Sequence, residues 1–213
     1  MKFILFFLLL APGTLCAQTR IHPCYSPSGT PTSCQDVGID TPLPVTQVAP
    51  AARSGYRVAT VSYAGYASMT DMACIYGSAT RTVRVWFVNI GGHANATNQL
   101  DVLAIKRSTA NSGGTPTTIA GTPMDSNFPA ATATYTQYAS APSTGTAVGN
   151  VAAVQVSLNA SGGSGPSQST MDFTARARPI VLRGTSQGLC FNANGTSAPN
   201  GMALSADLEW SEE

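Results

Sequence analysis

The sequence predicts an all-β protein: an antiparallel β-sandwich of jelly-roll type, carried behind a Pro-rich N-terminal arm. Three observations support this. No segment of roughly ten or more residues repeats its apolar positions with helical spacing. About ten short apolar or β-branched runs recur at roughly ten-residue intervals, separated by Gly, Ser, Thr, Asn and Pro. The last of them alternates without a break: Met202, Leu204, Ala206, Leu208 and Trp210 face one way, and Ala203, Ser205, Asp207, Glu209 and Ser211 the other.

The chain opens Met1-Lys2, then residues 3–10 are all apolar, Pro12-Gly13 breaks the run, and Cys16-Ala17 are small. This reads as a signal peptide over residues 1–17, cleaved after Ala17. Its apolar run is too short to cross a bilayer. Export to the periplasm or the exterior is therefore expected, with no membrane attachment after cleavage. Residues 18–54 form the arm or linker. Pro23, Pro27, Pro31, Pro42, Pro44 and Pro50 exclude a helix there. Residues 55–213 form the β-domain.

Within that domain, residues 55–67 open the fold and residues 71–76 follow, with Met72, Cys74 and Tyr76 on one face and Asp71, Ala73 and Ile75 on the other. Residues 82–90 and 100–106 read as one long antiparallel pair around the polar insert carrying Gly91-Gly92 and residues 95–98. In the first of these, Val83, Val85 and Phe87 share a face. Residues 108–118 and 123–129 read as loops. Residues 131–139 form a Thr-rich exposed strand, and residues 150–159 a strand with Val154, Val156 and Leu158 inward. Residues 171–174 and 179–182 are short strands. Residues 188–192 and 201–210 are expected to pair with one another. The core should contain Val83, Val85, Phe87, Val102, Val154, Val156, Leu204, Leu208 and Trp210.

Four cysteines remain after cleavage: Cys24, Cys34, Cys74 and Cys190. An even count in an exported chain points to disulfides, and three pairings are open. Proximity favours Cys24–Cys34, around the turn at residues 26–29, which leaves Cys74 and Cys190. Those two are otherwise ordinary buried apolar residues.

The chemistry-bearing residues are few, and no cofactor or metal is expected. His22 and His93 have no second histidine or paired carboxylate at ligand spacing. His93, Asp101 and a serine formally make a triad, but no G-x-S-x-G elbow accompanies them. Asp101, Asp125 and Asp172 all border loops, where turn formation is their ordinary role. Gly162-Gly163-Ser164-Gly165 lacks the Lys-Ser/Thr of a phosphate loop. Three Asn-x-Ser/Thr triplets, at Asn95, Asn159 and Asn194, mark exposed loops. The charge, 11 Lys+Arg against 10 Asp+Glu, forms no basic patch for nucleic acid. The chain is not expected to be an enzyme.

Several segments resemble small β-rich proteins of tailed phages and prophages: Gly77-Ser78-Ala79-Thr80, DVLAIKRSTANSGGTPTT at 101–118, DSN at 125–127, RPIVLRGTSQGL at 178–189, LEWSEE at 208–213 and the connector TPLPVT at 41–46. The resemblance implies a non-enzymatic virion-associated structural, decoration or tail module. It brings no catalytic residues. The signal peptide and the cysteines point instead to an exported surface or periplasmic binding protein, an adhesin or carbohydrate binder. Protein partners are expected in either case, as a homo-oligomer or among virion proteins, with a surface glycan as the alternative. The motive for an oligomer is the uncharged strand at 131–139, whose edge would invite pairing.

Overall fold

A computed structural model describes residues 54–160, 168–174 and 178–213. The expected signal peptide, nearly all of the expected arm, His22, Cys24, Cys34 and the glycine-rich run at 162–165 lie outside the described residues. Among those described there is no helix. Twelve strands follow in chain order: β1 Ser54–Tyr63, β2 Met69–Tyr76, β3 Val83–Ala94, β4 Asn98–Arg107, β5 Pro116–Ala120, β6 Thr122–Pro123, β7 Thr134–Tyr138, β8 Ala147–Ala160, β9 Gln168–Asp172, β10 Ile180–Leu182, β11 Gly188–Thr196 and β12 Ala203–Glu212.

These strands hydrogen-bond in the order β5-β7-β2-β11-β4-β8-β3-β12-β1-β6, with β9 and β10 also paired to β3. All pairs are antiparallel except β3–β8, which run parallel at His93↔Asn159 and Ala94↔Ala160. The sheet is therefore mixed, where an antiparallel one was expected. It also closes nearly into a barrel. β5 pairs with β7 at one end of the order and β6 with β1 at the other, and only Gly121 separates β5 from β6. The chain thus crosses the gap itself. Side chains cross it too: Gln137 Nε2 donates to Thr60 Oγ1 at 3.0 Å, and the Tyr63 hydroxyl to the Tyr138 carbonyl at 2.8 Å.

Gly121 is required by a close approach. A Cβ there would lie 2.3 Å from the indole of Trp210 and 3.2 Å from Ala131 Cβ. Trp210 is fully buried and cannot retreat. Gly121→Ala is expected to lose about 1–3 kcal/mol by overpacking. A urea melt with an unshifted midpoint would show that the corner yields without cost.

Several expectations are corrected. β3 and β4 are not a hairpin pair. β8 pairs along the whole of β4, while β12 pairs along β3 from Val83 to His93. β11 and β12 are not paired either; β11 lies between β2 and β4. Alternation reveals which face of a strand is buried and is silent on the partner, which long-range register decides. The strand at 131–139 shrinks to β7 and is no edge, because β5 covers it. The stated motive for an oligomer is thereby removed. β5 and β6 overlap the stretches read as loops, 108–118 and 123–129.

The core follows the pattern with two shifts. Val83, Val85, Val102, Val156, Leu204, Leu208 and Trp210 are buried, and Val154 packs against them half-buried. Phe87 is outside this core, because the β3–β12 ladder skips Trp86 and the face then changes. Val88 and Ile90 fill the inward positions instead. A second bulge, at Met72, separates Asn192↔Asp71 from Phe191↔Ala73. It turns Asp71 toward Cys74 and puts Met72 in the core with Ala73 and Ile75. A single extra residue reverses the alternation beyond it.

Candidate functional site

The densest chemistry among the described residues lies beneath two connecting segments, residues 108–115 and 139–146. Backbone bonds zip these segments together: Ser112 N to Ser143 O at 3.0 Å, Ser143 N to Ser112 O at 2.9 Å and Ser108 N to Thr146 O at 2.9 Å. Beneath them sit Asp71 and Cys74 of β2, Arg107 of β4, and Cys190 and Asn192 of β11. β11 pairs with both β2 and β4, so one face gathers all five.

Cys74 and Cys190 stand directly opposite in the β2–β11 ladder, are fully buried and form a disulfide. Beside them, Asp71 is 0% and Arg107 4% exposed. Arg107 binds Asp71 with both prongs, Nε to Oδ2 at 2.5 Å and Nη2 to Oδ1 at 2.7 Å. Its third nitrogen donates to the Gly145 carbonyl at 2.7 Å. Asn111 Nδ2 donates to Asp71 Oδ2 at 2.8 Å and Asn192 Nδ2 to Oδ1 at 2.7 Å. Asp71 thus accepts four hydrogen bonds, the full capacity of a carboxylate. Asn111 also anchors the cover. Its Oδ1 accepts from Gly145 N at 2.7 Å, and its backbone N donates to the Tyr76 hydroxyl at 3.1 Å. That hydroxyl in turn meets the Tyr138 hydroxyl at 2.7 Å.

This arrangement ties the cover to the sheet, with its carboxylate and both sulfurs engaged. Asp71, Cys74 and Cys190 have the spacing of a metal cluster, with ligand atoms within 4.8 Å of one another. The sulfurs are committed to their bond, however, and the carboxylate has no lone pair left. Burial raises the phenols of Tyr76 and Tyr138 above their ordinary value, so neither serves as a base near neutral pH. Tyr135, inside the barrel, is pushed up to about 12 by burial, against the opposing effect of hydrogen bonds to Gln137 and Thr60.

A second buried carboxylate closes the barrel near its corner. Glu212, 3% exposed, continues the inward file of β12 beyond Trp210. It accepts from Thr132 Oγ1 at 2.5 Å, from the backbone N of Thr132 at 3.0 Å and of Ala133 at 2.9 Å, and from Trp210 Nε1 at 3.1 Å. Burial opposes its charge, and these hydrogen bonds more than offset that, leaving its pKa below the ordinary 4.5. A depressed carboxylate contributes stability above its unfolded value and loses that contribution as pH falls through the folded one. Stability is therefore expected to fall as pH drops below about 4.5, and Glu212→Gln to flatten that slope. Parallel acid dependences of the two proteins in urea melts at stepped pH would refute this role for Glu212.

The sequence-level candidates are not brought together. His93, at the end of β3, faces Ala203 and Asn159 in its ladders. Asp101 accepts from Gln155 Nε2 at 3.1 Å on the outer face of β4 and β8. No hydrogen bond or ion pair joins His93 to Asp101 among the described residues. Asp125 accepts from Asn127 N at 2.9 Å and Asp172 from Thr174 N at 2.7 Å, so both cap turns. A shallow groove of about 350 Å³ runs over Asp101, Leu103, Ala153, Gln155 and Asn194. It carries no aromatic ring on which a sugar could stack. An apolar cavity of about 20 Å³ among Tyr63, Met72, Tyr135 and Phe191 holds little more than one water. Sequence reasoning missed the Asp71–Arg107–Asn111–Asn192 network. Its only local trace was a lone acid, Asp71, in an otherwise apolar strand.

Compared with models of protein families, with characterised proteins and with solved structures, the chain shows no significant match.

Proposed function

We propose that this chain is an exported, non-enzymatic β-module that works by presenting a surface to a partner. One observation carries the reading: the buried Cys74–Cys190 bridge between β2 and β11. Structural disulfides of this kind form and persist in oxidising compartments and are rare in the cytosol. The apolar run at residues 3–10 and the small residues at 16–17 supply the route. The saturated carboxylates and raised phenols argue for a scaffold over a catalyst. A surface or periplasmic binding protein fits these features, its partner a protein, a second copy of the chain or a surface glycan.

A virion-associated decoration or tail module is the second reading, favoured by the phage-like segments at 101–118, 178–189 and 208–213. For the finer architecture we favour a distorted sandwich of jelly-roll type. In its support, β6-β1-β12-β3 with β9 and β10 forms one set of strands and β5-β7-β2-β11-β4-β8 the other. Among the described residues, the two-residue β3–β8 contact alone joins the sets by backbone pairing.

Expressing the full chain in a bacterium and weighing the product of each cell fraction tests the export reading. The expected product is periplasmic or secreted, lacks residues 1–17 and has no free thiol at 74 or 190. An uncleaved, reduced cytoplasmic chain would sink it. Mass spectrometry of purified particles decides the virion reading.

A further inference from the structure

The covered polar centre has no spare acceptor for a new donor. All four lone-pair positions of Asp71 are filled, two by Arg107 and one each by Asn111 and Asn192. Cys74 Sγ lies 4.0 Å from Asp71 Oδ2 and 3.3 Å from Asn111 Nδ2. As a disulfide, the two sulfurs carry no hydrogen and compete for nothing. A thiol reductant changes that. The S–S bond takes up two electrons and two protons to become two S–H groups, while two reductant thiols join as a disulfide. Two donors then appear beside a filled carboxylate.

The four existing bonds are not equally secure. Arg107 meets Asp71 with both prongs, and the backbones of Arg107 and Asn192 are held in the β4–β11 ladder. Asn111 alone sits on a connecting segment. It also fastens the cover, through Gly145 N and the Tyr76 hydroxyl, beside the bond from Arg107 to the Gly145 carbonyl.

We propose that the Cys74–Cys190 bridge is a redox lock on the cover formed by residues 108–115 and 139–146. In the oxidised protein Asn111 seals Asp71 and the cover is shut. In the reduced protein the Cys74 thiol takes the place of the Asn111 amide, and the cover opens. The lock rests on the exported reading in one respect: oxidation after export would shut a cover that stood open in the reduced chain.

Hydrogen exchange, read by mass spectrometry on the full chain before and after a thiol reductant, tests the lock. Peptides covering 108–115 and 139–146 are expected to exchange at least about tenfold faster when reduced, with β3 and β12 changed far less. Unchanged cover exchange on reduction overturns the proposal. The Cys74→Ala/Cys190→Ala protein has neither bridge nor thiols, so its cover should exchange as slowly as that of the oxidised protein. If it exchanges as fast as the reduced protein, loss of the cross-link alone opens the cover and the proposal fails. Should that variant not fold, Asn111→Ala decides, because its cover should be open in both redox states. A further acceleration on reduction as large as that of the wild type would remove Asn111 from the mechanism. None of these outcomes depends on the cell-fraction result, so the lock and the export reading fail separately.

Discussion

Arg107→Leu is expected to cost about 3–5 kcal/mol, because it strands a buried charge. Asp71 has no access to solvent and would keep only the amides of Asn111 and Asn192 as donors. The loss would exceed the worth of the ion pair itself, since the desolvation of Asp71 would remain uncompensated. The variant also frees the Gly145 carbonyl, which loosens the cover. Removing the charge as well should reverse much of the damage. Asp71→Asn combined with Arg107→Leu is expected to recover at least about half of the lost stability. Urea melts of the wild type, the single variant and the double variant measure this. If the double variant is no better than Arg107→Leu alone, the buried charge is not what the arginine answers.

The second large effect is expected at Trp210. Trp210→Ala should lose about 3–5 kcal/mol. The indole is fully buried, stacks on Tyr56 with ring centroids 5.9 Å apart and planes at 24°, and donates to Glu212. Gly121 leaves room for it at the corner between β5 and β6. Truncation would therefore open a cavity where the barrel closes and remove a donor from a buried carboxylate. Trp210→Phe keeps an aromatic ring, though a smaller one, and loses the donor, so it should recover about half of the stability lost by Trp210→Ala. A midpoint shift worth less than about 1 kcal/mol for Trp210→Ala would show that β12 is not docked as described.

These two sites differ in how far the sequence announced them. Trp210 closes the cleanest alternation in the chain, and five of its inward residues could be read off directly. Leu204, Leu208 and Trp210 lie in the core for that reason. The Asp71 network had no such announcement. Its members come from three strands and one connecting segment, separated by up to 121 positions in sequence. No local pattern encodes a contact of that span. The bulge at Met72 adds a further obstacle, because simple alternation placed Asp71 on the wrong face.

By itself the sequence determined that the chain is all-β, where most strands lie, and which residues most of them bury. These follow from local chemistry: side-chain spacing along the backbone, the conformational limits of Gly and Pro, and the cost of exposing apolar surface. Tertiary structure alone decided which strands pair. β3 and β4 look like a hairpin because they are adjacent, apolar and joined by a turn-rich insert, yet β8 and β12 take their edges. It also decided that residues 116–123 form the corner that nearly closes the barrel. Their short β-branched run, Thr117-Thr118-Ile119, is cut by Pro116, Gly121 and Pro123; β7, β1 and the indole of Trp210 hold them there. Pairing partners are chosen by register and packing summed over the whole sheet, and that sum is not written in any one segment.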